Sequence, residues 1–206
     1  MDYPTKYLGK NDKIDVSSRD IYYFSNYYQS SKVETMSPTD KRRESTERIW
    51  KLKRRDRDAY PFFAKCVSAH VKDLGNEEWL ACTIPGHDQI YASENPMDTF
   101  LKYVYLPGNI HPVIGLIIRK EAMPKKHGET YGDRTPDKDY ESYKIGNTRN
   151  IKGQNIIIFD DIVTSGSSLI AARRFLEKNG AKRVVLVALG KTVEDYYYGG
   201  DISYLF

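Results

Sequence analysis

Two adjacent carboxylates and a short run of small, hydroxyl-bearing residues follow one apolar stretch of this chain. Asp160 and Asp161 come directly after the apolar residues 156–159, and two further apolar residues separate them from Thr164–Ser168. A helix-like pattern begins next, so the apolar stretch predicts a buried strand and Thr164–Ser168 the turn that opens a helix. Backbone N–H groups at a helix start carry partial positive charge, and small residues let an anion approach them. The turn is therefore a candidate phosphate-binding site.

The two carboxylates require a different partner, because they would repel a phosphate. Vicinal hydroxyl groups or a metal ion would suit them. A ligand with a phosphate at one end and a diol in its middle satisfies both halves of the motif, and a ribose 5-phosphate has this form. The alternative is an ordinary helix cap with two solvated acids. The doubled acid two residues before the turn favours the ligand site over the ordinary cap.

The segment 156–169, IIIFDDIVTSGSSL, resembles the signature by which type I phosphoribosyltransferases bind phosphoribosyl pyrophosphate (PRPP). That signature consists of four apolar residues, two acids, two apolar residues and a turn rich in Thr, Ser and Gly. The resemblance implies that Asp160 and Asp161 are catalytic and face the ribose 2- and 3-hydroxyls. The implied PRPP-binding residues also include the turn: Thr164, Ser165, Gly166, Ser167 and Ser168. Mg²⁺ is the implied cofactor, and no residue is expected to bind it directly. The pyrophosphate of PRPP would hold the ion, or a water molecule would link the ion to Asp160 or Asp161.

A second candidate is the basic segment RKEAMPKKHGE at residues 119–129. Its cations suit an anionic ligand, although a run of charges is also typical of a solvated surface loop. The segment is similar to the flexible catalytic loop of orotate phosphoribosyltransferases, apart from two extra residues. The resemblance implies that Lys126, favoured over Lys125, and His127 are catalytic. It also implies a homodimer, because the loop of that family reaches into the partner subunit.

The turn TIPGHDQ, residues 83–89, is the third candidate. It ends the first predicted core strand, where type I enzymes place a pyrophosphate-binding loop; an ordinary surface turn is the alternative. The pyrophosphate-binding residues implied by the family are Gly86, His87, Arg119 and Lys120. The turn differs from that of the orotate enzymes, and the later segment ALGKTVEDYYY is similar to ComF-like proteins of the same fold. The acceptor molecule is therefore left open.

These residues must be positioned by strands and helices, and the order of the strand and helix patterns predicts an α/β protein. Strand patterns alternate with helix patterns from residue 78 to residue 191, which predicts a parallel sheet with helices on both faces. The strand patterns cover 78–85, 112–120, 155–161 and 181–191, and the helix patterns cover 96–106 and 165–180. The polar segment 120–150 is expected to be a long loop. The resemblance, which covers about 77–192, implies a type I phosphoribosyltransferase-like sheet flanked by helices.

Residues 1–75 lie outside that resemblance. We predict that they form a mostly helical N-terminal hood or extension, 1–75, on a phosphoribosyltransferase-like core, 76–206. A helix capped by Ser37 is predicted to run to about residue 60. Its segment 41–57 has nine Lys or Arg and three acids, which is typical of a solvated face, with a nucleic-acid contact as the alternative. The aromatic stretch 22–28 is interpreted as core rather than as a surface that stacks on a base.

The composition sets bounds on the class of protein. The chain has 206 residues and a formal net charge of +4, which suits an anionic ligand without arguing by itself for nucleic acid. Cys66 and Cys82 show no metal-ligand spacing and are expected to be buried free thiols. The N-terminus lacks the apolar stretch of a signal peptide, and no apolar run approaches the roughly 18 residues of a membrane span. A cytoplasmic protein without membrane contact is the expectation.

Together these observations predict an enzyme, a pentosyltransferase of the glycosyltransferase class. We expect it to use PRPP and Mg²⁺ to transfer a phosphoribosyl group to a nitrogenous, nucleobase-like acceptor in nucleotide metabolism, with release of pyrophosphate. One alternative is a PRPP-sensing regulator of the same fold that binds nucleic acid through its basic N-terminal helix. Another is an effector-type enzyme that consumes PRPP.

Overall fold

A six-stranded sheet, with all neighbouring strands parallel, forms the centre of the computed structural model. The structure describes residues 7–8, 20–86, 95–122, 136–146 and 149–193. The strands in chain order are β1 Tyr7–Leu8, β2 Ile21–Tyr27, β3 Trp79–Thr83, β4 Ile110–Pro112, β5 Ile117–Arg119, β6 Tyr143–Ile145, β7 Asn155–Val163 and β8 Arg183–Thr192. The central sheet has the order β1-β2-β8-β7-β3-β4, and β5 and β6 form a separate antiparallel pair.

Helices cover both faces of the central sheet. They are α1 Ser30–Val33, α2 Lys41–Lys53, α3 Tyr60–Val71, α4 Pro96–Tyr103, α5 Pro136–Ser142 and α6 Ser167–Lys178, with 3-10 turns at Arg57–Ala59 and Lys72–Leu74. One core lies beneath α2, α3 and α4 and includes Ile49, Phe63 and Phe100. The other lies beneath α6 and includes Leu169 and Leu176. The predicted α/β architecture is therefore confirmed.

The strand that carries the two acids is apolar up to them because both of its faces are buried. On β7, Ile157 and Phe159 belong to the core beneath α2–α4, whereas Ile156 and Ile158 belong to the core beneath α6. All four are at most 1% exposed. β3 and β8 flank β7 in parallel, so the carboxyl ends of the three strands meet at one edge of the sheet. Open parallel sheets bind their ligands at this edge.

The N-terminal residues contribute to the sheet as well as to its cover. β2 pairs in parallel with β8 along its length. Tyr22, Phe24 and Tyr28 are at most 6% exposed, which confirms the interpretation of these aromatic residues as core. Tyr23 and Tyr27 are partly buried. The division between an extension, 1–75, and a core, 76–206, stays a prediction.

The basic N-terminal helix begins and ends elsewhere than predicted. Asp40, not Ser37, is the N-cap of α2, because its carboxylate accepts the N–H of Arg42 at 2.8 Å. After α2 ends, Arg55 adopts a φ of 61°, in the left-handed region that a continuing right-handed helix excludes. Pro61 then lies in the first turn of α3, where its fixed φ and missing N–H are tolerated.

Two predictions for the middle of the chain were wrong. The expected strand 112–120 is interrupted at Gly115, whose φ is 66°, and its second half pairs with β6 outside the central sheet. The segment 120–150, expected to be a loop, contains α5 and β6. Periodicity missed these elements because their buried residues include the polar Asp139 and Ser142.

The two cysteines differ in burial. Both are free thiols, as predicted. The predicted burial is confirmed for Cys82, which is fully buried, whereas Cys66 is only partly buried. Burial, with a smaller contribution from the charge of Asp98, raises the pKa of the Cys82 thiol well above its usual range. Within the described ranges, none of the helices has the length and apolar character needed to cross a membrane.

Candidate functional site

The turn between β7 and α6 has the backbone of an anion-binding site. Gly166 is the N-cap of α6 and adopts a φ of 76° and a ψ of 0°, a left-handed conformation that residues with a Cβ rarely adopt. Gly166 has no side chain with which to cap the helix. The first-turn N–H groups, which lack acceptors within the helix, are therefore oriented to donate to a bound anion.

The hydroxyl groups of this turn divide into two sets. Thr164 Oγ1 lies 2.8 Å from the hydroxyl of the last residue of β8, and Ser165 Oγ lies 2.8 Å from Ser167 Oγ. Ser168 is 5% exposed, and its hydroxyl donates to Asp139 Oδ2 at 3.0 Å. Ser168 thus stabilises the start of α6 from within. The predicted phosphate contacts of Thr164, Ser165, Ser167 and Ser168 stay predictions.

Asp160 and Asp161 lie near the carboxyl end of β7 on different faces of the sheet. Asp160 is in register with Ala188 of the core beneath α6, whereas Asp161 contacts α2 on the opposite face. Asp160 Oδ1 accepts the N–H of Asp161 at 2.9 Å, and Asp161 Oδ1 accepts the N–H of Ile162 at 2.6 Å. One oxygen of each carboxylate is therefore held by the backbone, which fixes the orientation of both side chains.

Asp161 has a partner that the sequence motif does not contain. Lys53, the last residue of α2, places Nζ 3.2 Å from Asp161 Oδ2. Burial alone would lower the pKa of this amine, but the charge of Asp161 and its hydrogen bond outweigh burial, so the pKa of Lys53 is raised. The ion pair is therefore formed at neutral pH, and it links the N-terminal helix to the carboxylate end of β7.

Arg119 lies in a buried network. Its side chain and that of Asp139 are fully buried, and Nη2 lies 3.0 Å from Asp139 Oδ1 in an ion pair without hydrogen-bond alignment. Nε donates to the carbonyl of Gly86 at 2.8 Å, and Nη1 donates to Ser142 Oγ at 2.5 Å. Because Asp139 also accepts the Ser168 hydroxyl, this network joins the segment after β3, the start of the basic segment and the first turn of α6.

The network bears on the predicted pyrophosphate-binding residues. The guanidinium of Arg119 is already engaged by protein groups, so direct contact with pyrophosphate would require the network to open. Gly86 is exposed and follows the carboxyl end of β3. Lys120 is exposed as well, and its Nζ donates to the carbonyl of Glu141 at 2.7 Å. Gly86 and Lys120 are thus placed where a ligand has access.

Three of the predicted site residues lie outside the described residues. They are His87 of the β3 turn and the two implied catalytic residues of the basic segment, Lys126 and His127. Their predicted roles stay predictions.

The donor atoms of the site suit magnesium that arrives with a substrate. In the described part of the chain, no group of three or more His, Cys, Asp or Glu side chains is placed to hold a metal ion. Asp160 and Asp161 supply carboxylate oxygens, the hard donors that Mg²⁺ prefers. Mg²⁺ usually retains several waters and binds substrate phosphates as well as one or two carboxylates. The residues present therefore fit a magnesium ion held mainly by a ligand's phosphates.

Sequence reasoning missed two residues that contact predicted site residues: Lys53, which pairs with Asp161, and Asp139, which pairs with Arg119. Lys53 belongs to a basic helix that is distant in sequence from Asp161, and no spacing rule connects them. Asp139 lies in a polar stretch that was expected to be a loop. A single acid in such a stretch cannot be predicted as buried from its sequence neighbours, because its partner Arg119 is distant in sequence.

The parallel sheet, the paired acids near a strand end and the glycine-capped turn define an α/β protein whose candidate ligand site lies at the carboxyl edge of the sheet. Residues 119–196 match the family model described as "Phosphoribosyl transferase domain". The match covers 78 of the 206 residues, and over this segment it confirms the resemblance seen in the sequence. The segment contains the two acids and the turn, whereas α2 and β3 lie outside it.

Several known proteins are similar to this chain. An adenine phosphoribosyltransferase of Treponema denticola is 39% identical over 71 residues, which cover 34% of this chain and 36% of that protein. A transcriptional regulator, GfcR, of Methanococcus vannielii is 30% identical over 84 residues, or 41% of this chain and 38% of the regulator. A hypoxanthine phosphoribosyltransferase of Staphylococcus aureus aligns with a TM-score of 0.42 and 14% identity over 66% of this chain and 73% of that chain. The matched segments thus span 36% and 38% of the two curated relatives.

Proposed function

We propose that the protein is a phosphoribosyltransferase that uses PRPP and Mg²⁺ to transfer a phosphoribosyl group to a nitrogenous acceptor, with release of pyrophosphate. The observation that carries this proposal is the placement of Asp160 and Asp161 near the carboxyl end of β7, a few residues before the left-handed Gly166 that begins α6. The phosphoribosyl transferase domain in residues 119–196 supports it.

The turn would bind the 5-phosphate of PRPP. The first-turn N–H groups of α6 and the hydroxyl groups of Thr164, Ser165 and Ser167 would donate to the phosphate oxygens. A ribose diol is neutral and donates hydrogen bonds, so it suits carboxylates where a phosphate would be repelled. Asp160 and Asp161 would accept these bonds and hold the sugar in a fixed orientation at the sheet edge.

The reaction explains the cations that surround this edge. The acceptor nitrogen attacks the anomeric carbon of the ribose, and the bond from that carbon to pyrophosphate breaks through an oxocarbenium-like state. Negative charge develops on the leaving pyrophosphate, and nearby cations stabilise it. Lys126, His127 and Lys120 would supply such charges, with His87 and the N–H groups around Gly86 on the β3 side. When bound, Mg²⁺ would neutralise part of the same charge.

The test of this proposal is PRPP binding and turnover in the Asp160→Asn/Asp161→Asn variant. The two amides keep the size of the carboxylates but lose their charge, so we expect PRPP binding with Mg²⁺, measured by calorimetry, to be lost. Pyrophosphate release with a panel of nitrogenous acceptors should be lost as well. Asp137→Asn is a matched control, because Asp137 is an exposed acid that pairs with Arg174 and has no role in the proposal. Retained turnover in the double variant would refute the assignment.

A PRPP-sensing regulator is the second candidate, favoured by the similarity to a transcriptional regulator. The charge on α2 weakens the nucleic-acid contact on which it depends. Arg42, Arg43 and Arg48 each pair with an acid of the same helix or its N-cap. Filter binding of duplex DNA and RNA at two salt concentrations separates the candidates. Tight binding with a steep salt dependence that PRPP shifts would favour the regulator.

The homodimer remains part of the proposal and has its own measurement. The similarity of the basic segment to the orotate phosphoribosyltransferase loop supports two subunits, since that loop acts across a dimer. Sedimentation equilibrium of the full chain with and without PRPP should give twice the chain mass. A monomer in both conditions would remove the homodimer while leaving the transfer reaction intact.

A further inference from the structure

Three segments of the proposed site are joined by contacts outside the central sheet. They are the segment after β3 that ends at Gly86, the start of the basic segment at Arg119, and the first turn of α6. The pairing of β3 with β7 ends at Thr83 and Phe159, and β5 pairs with β6 outside the central sheet. The positions of the three segments relative to one another therefore depend on contacts other than the strand ladder.

Asp139 connects two of these segments through its carboxylate. Oδ1 lies 3.0 Å from Nη2 of Arg119, and Oδ2 accepts the hydroxyl of Ser168 at 3.0 Å. The side chain of Asp139 is fully buried, and Ser168 is 5% exposed. Ser168 lies in the first turn of α6, whose N–H groups would bind the 5-phosphate. The two oxygens of one buried carboxylate thus contact two different parts of the site.

Arg119 extends the connection to the segment after β3. Its Nε donates to the carbonyl of Gly86 at 2.8 Å. Its guanidinium carbon lies 5.0 Å from the centre of the Tyr143 ring, and the Tyr143 hydroxyl donates to the carbonyl of Ser168 at 3.4 Å. Ser168 is therefore held by the carboxylate of Asp139 and by Tyr143, and Gly86 is held by the guanidinium that contacts both.

Stability alone does not account for a charged pair at this place. Replacing a buried ion pair by apolar side chains of similar volume is often neutral or stabilising, because both charges lose their hydration on burial. Apolar side chains do not supply direction, however, whereas hydrogen bonds between fixed donors and acceptors set orientations as well as distances. The network is therefore suited to hold Gly86 and Ser168 in one geometry.

We propose that Asp139 is a positioning residue for the transfer reaction, and that Arg119 acts through this network rather than as a ligand of pyrophosphate. The inference rests on the proposed function, and it differs from the role that the resemblance implies for Arg119. PRPP would be bound at both ends, by its 5-phosphate at the turn before α6 and by its pyrophosphate beside Gly86 and Lys120. The network fixes these two places relative to each other, and so holds the anomeric carbon in line for attack.

This role has a signature in binding measurements. A ligand that spans two places depends on their relative position, whereas a fragment bound at one place does not. Ribose 5-phosphate is a probe for the turn, Mg²⁺-pyrophosphate is a probe for the other end, and PRPP occupies both. A positioning role predicts a loss of affinity for PRPP alone. A direct contact of Arg119 with pyrophosphate would weaken the pyrophosphate probe as well, and a purely structural role would leave all affinities of the folded protein unchanged.

The test is calorimetric titration of the three probes into Arg119→Met/Asp139→Leu, which fills the same space without charges. At a temperature where circular dichroism shows the variant folded, ribose 5-phosphate and Mg²⁺-pyrophosphate should bind within about threefold of wild type. PRPP with Mg²⁺ should bind roughly tenfold or more weakly. Ser168→Ala removes the hydrogen bond to Asp139 and keeps the ion pair, so the test does not depend on the double variant. It should show the same pattern, with a roughly threefold to tenfold loss for PRPP.

The exposed pair of Asp137 and Arg174 supplies a matched control, because it also joins α5 to α6. Asp137→Asn/Arg174→Gln should leave all three affinities within about twofold of wild type. If either fragment loses as much affinity as PRPP, or if PRPP binds the folded variants as tightly as wild type, the inference is overturned and the proposed function stands. If PRPP does not bind the wild-type protein, the proposed function falls, and the inference falls with it.

Discussion

Removing the charge of Asp139 tests whether the buried network supports the site. The side chains of Arg119 and Asp139 have no exposure, and their charged atoms are 3.0 Å apart. Asp139→Asn would leave the guanidinium buried without a counter-charge, and breaking a buried pair in this way costs about 3–5 kcal/mol. For a chain of this length, that cost corresponds to a fall in Tm of about 6–20 °C. Thermal unfolding followed by circular dichroism measures it.

A double variant separates the lost charge from lost packing. Arg119→Met/Asp139→Leu replaces both partners by apolar side chains, and such a replacement is often neutral in stability. We therefore expect the double variant to recover most of the Tm lost by Asp139→Asn. It should nevertheless bind PRPP more weakly than wild type, because Gly86 and Ser168 lose the groups that hold them. A change below about 1 kcal/mol in Asp139→Asn would refute the reasoning, since it is the effect of an exposed pair.

Three further predictions follow from the packing and the ionisable groups. Gly190→Ala should lower the free energy of unfolding in urea by about 1–3 kcal/mol, because its Cβ would overlap Ile49. The double variant Gly190→Ala/Ile49→Val should regain part of this loss. An unchanged urea midpoint in Gly190→Ala would contradict the close approach of α2 to β8. The raised pKa of Lys53 means that its pair with Asp161 stabilises the fold fully below the usual value of 10.5, and that this contribution is lost as pH rises through the raised pKa. Lys53→Met should therefore be less stable than wild type at pH 8, and the difference should shrink as pH rises past 10.5. A difference in stability that widens with rising pH would contradict this prediction. Cys82, buried with a raised pKa, should react with a thiol reagent only after unfolding; rapid labelling of the Cys66→Ser variant in native buffer would show that this strand opens.

The residues with local signals were predicted from the sequence. The apolar run before Asp160, the glycine of the turn and the helix after it lie within one stretch of chain, and each has its own pattern. The parallel sheet followed from the alternation of such patterns. By contrast, the cap at Asp40 was misplaced to Ser37, because both residue types cap helices and only the hydrogen bond to Arg42 distinguishes them.

The partners of the charged groups were decided only by the tertiary structure. The sequence by itself determined that Arg119 begins a basic segment and that two carboxylates follow a buried apolar strand. It did not determine that Arg119 is buried against Asp139, or that Lys53 reaches Asp161 from a helix at the other end of the chain. The physical reason is the range of the forces involved. Strand, turn and helix patterns arise from interactions within a few residues, whereas the pairing of two charges depends on how distant elements pack across the sheet.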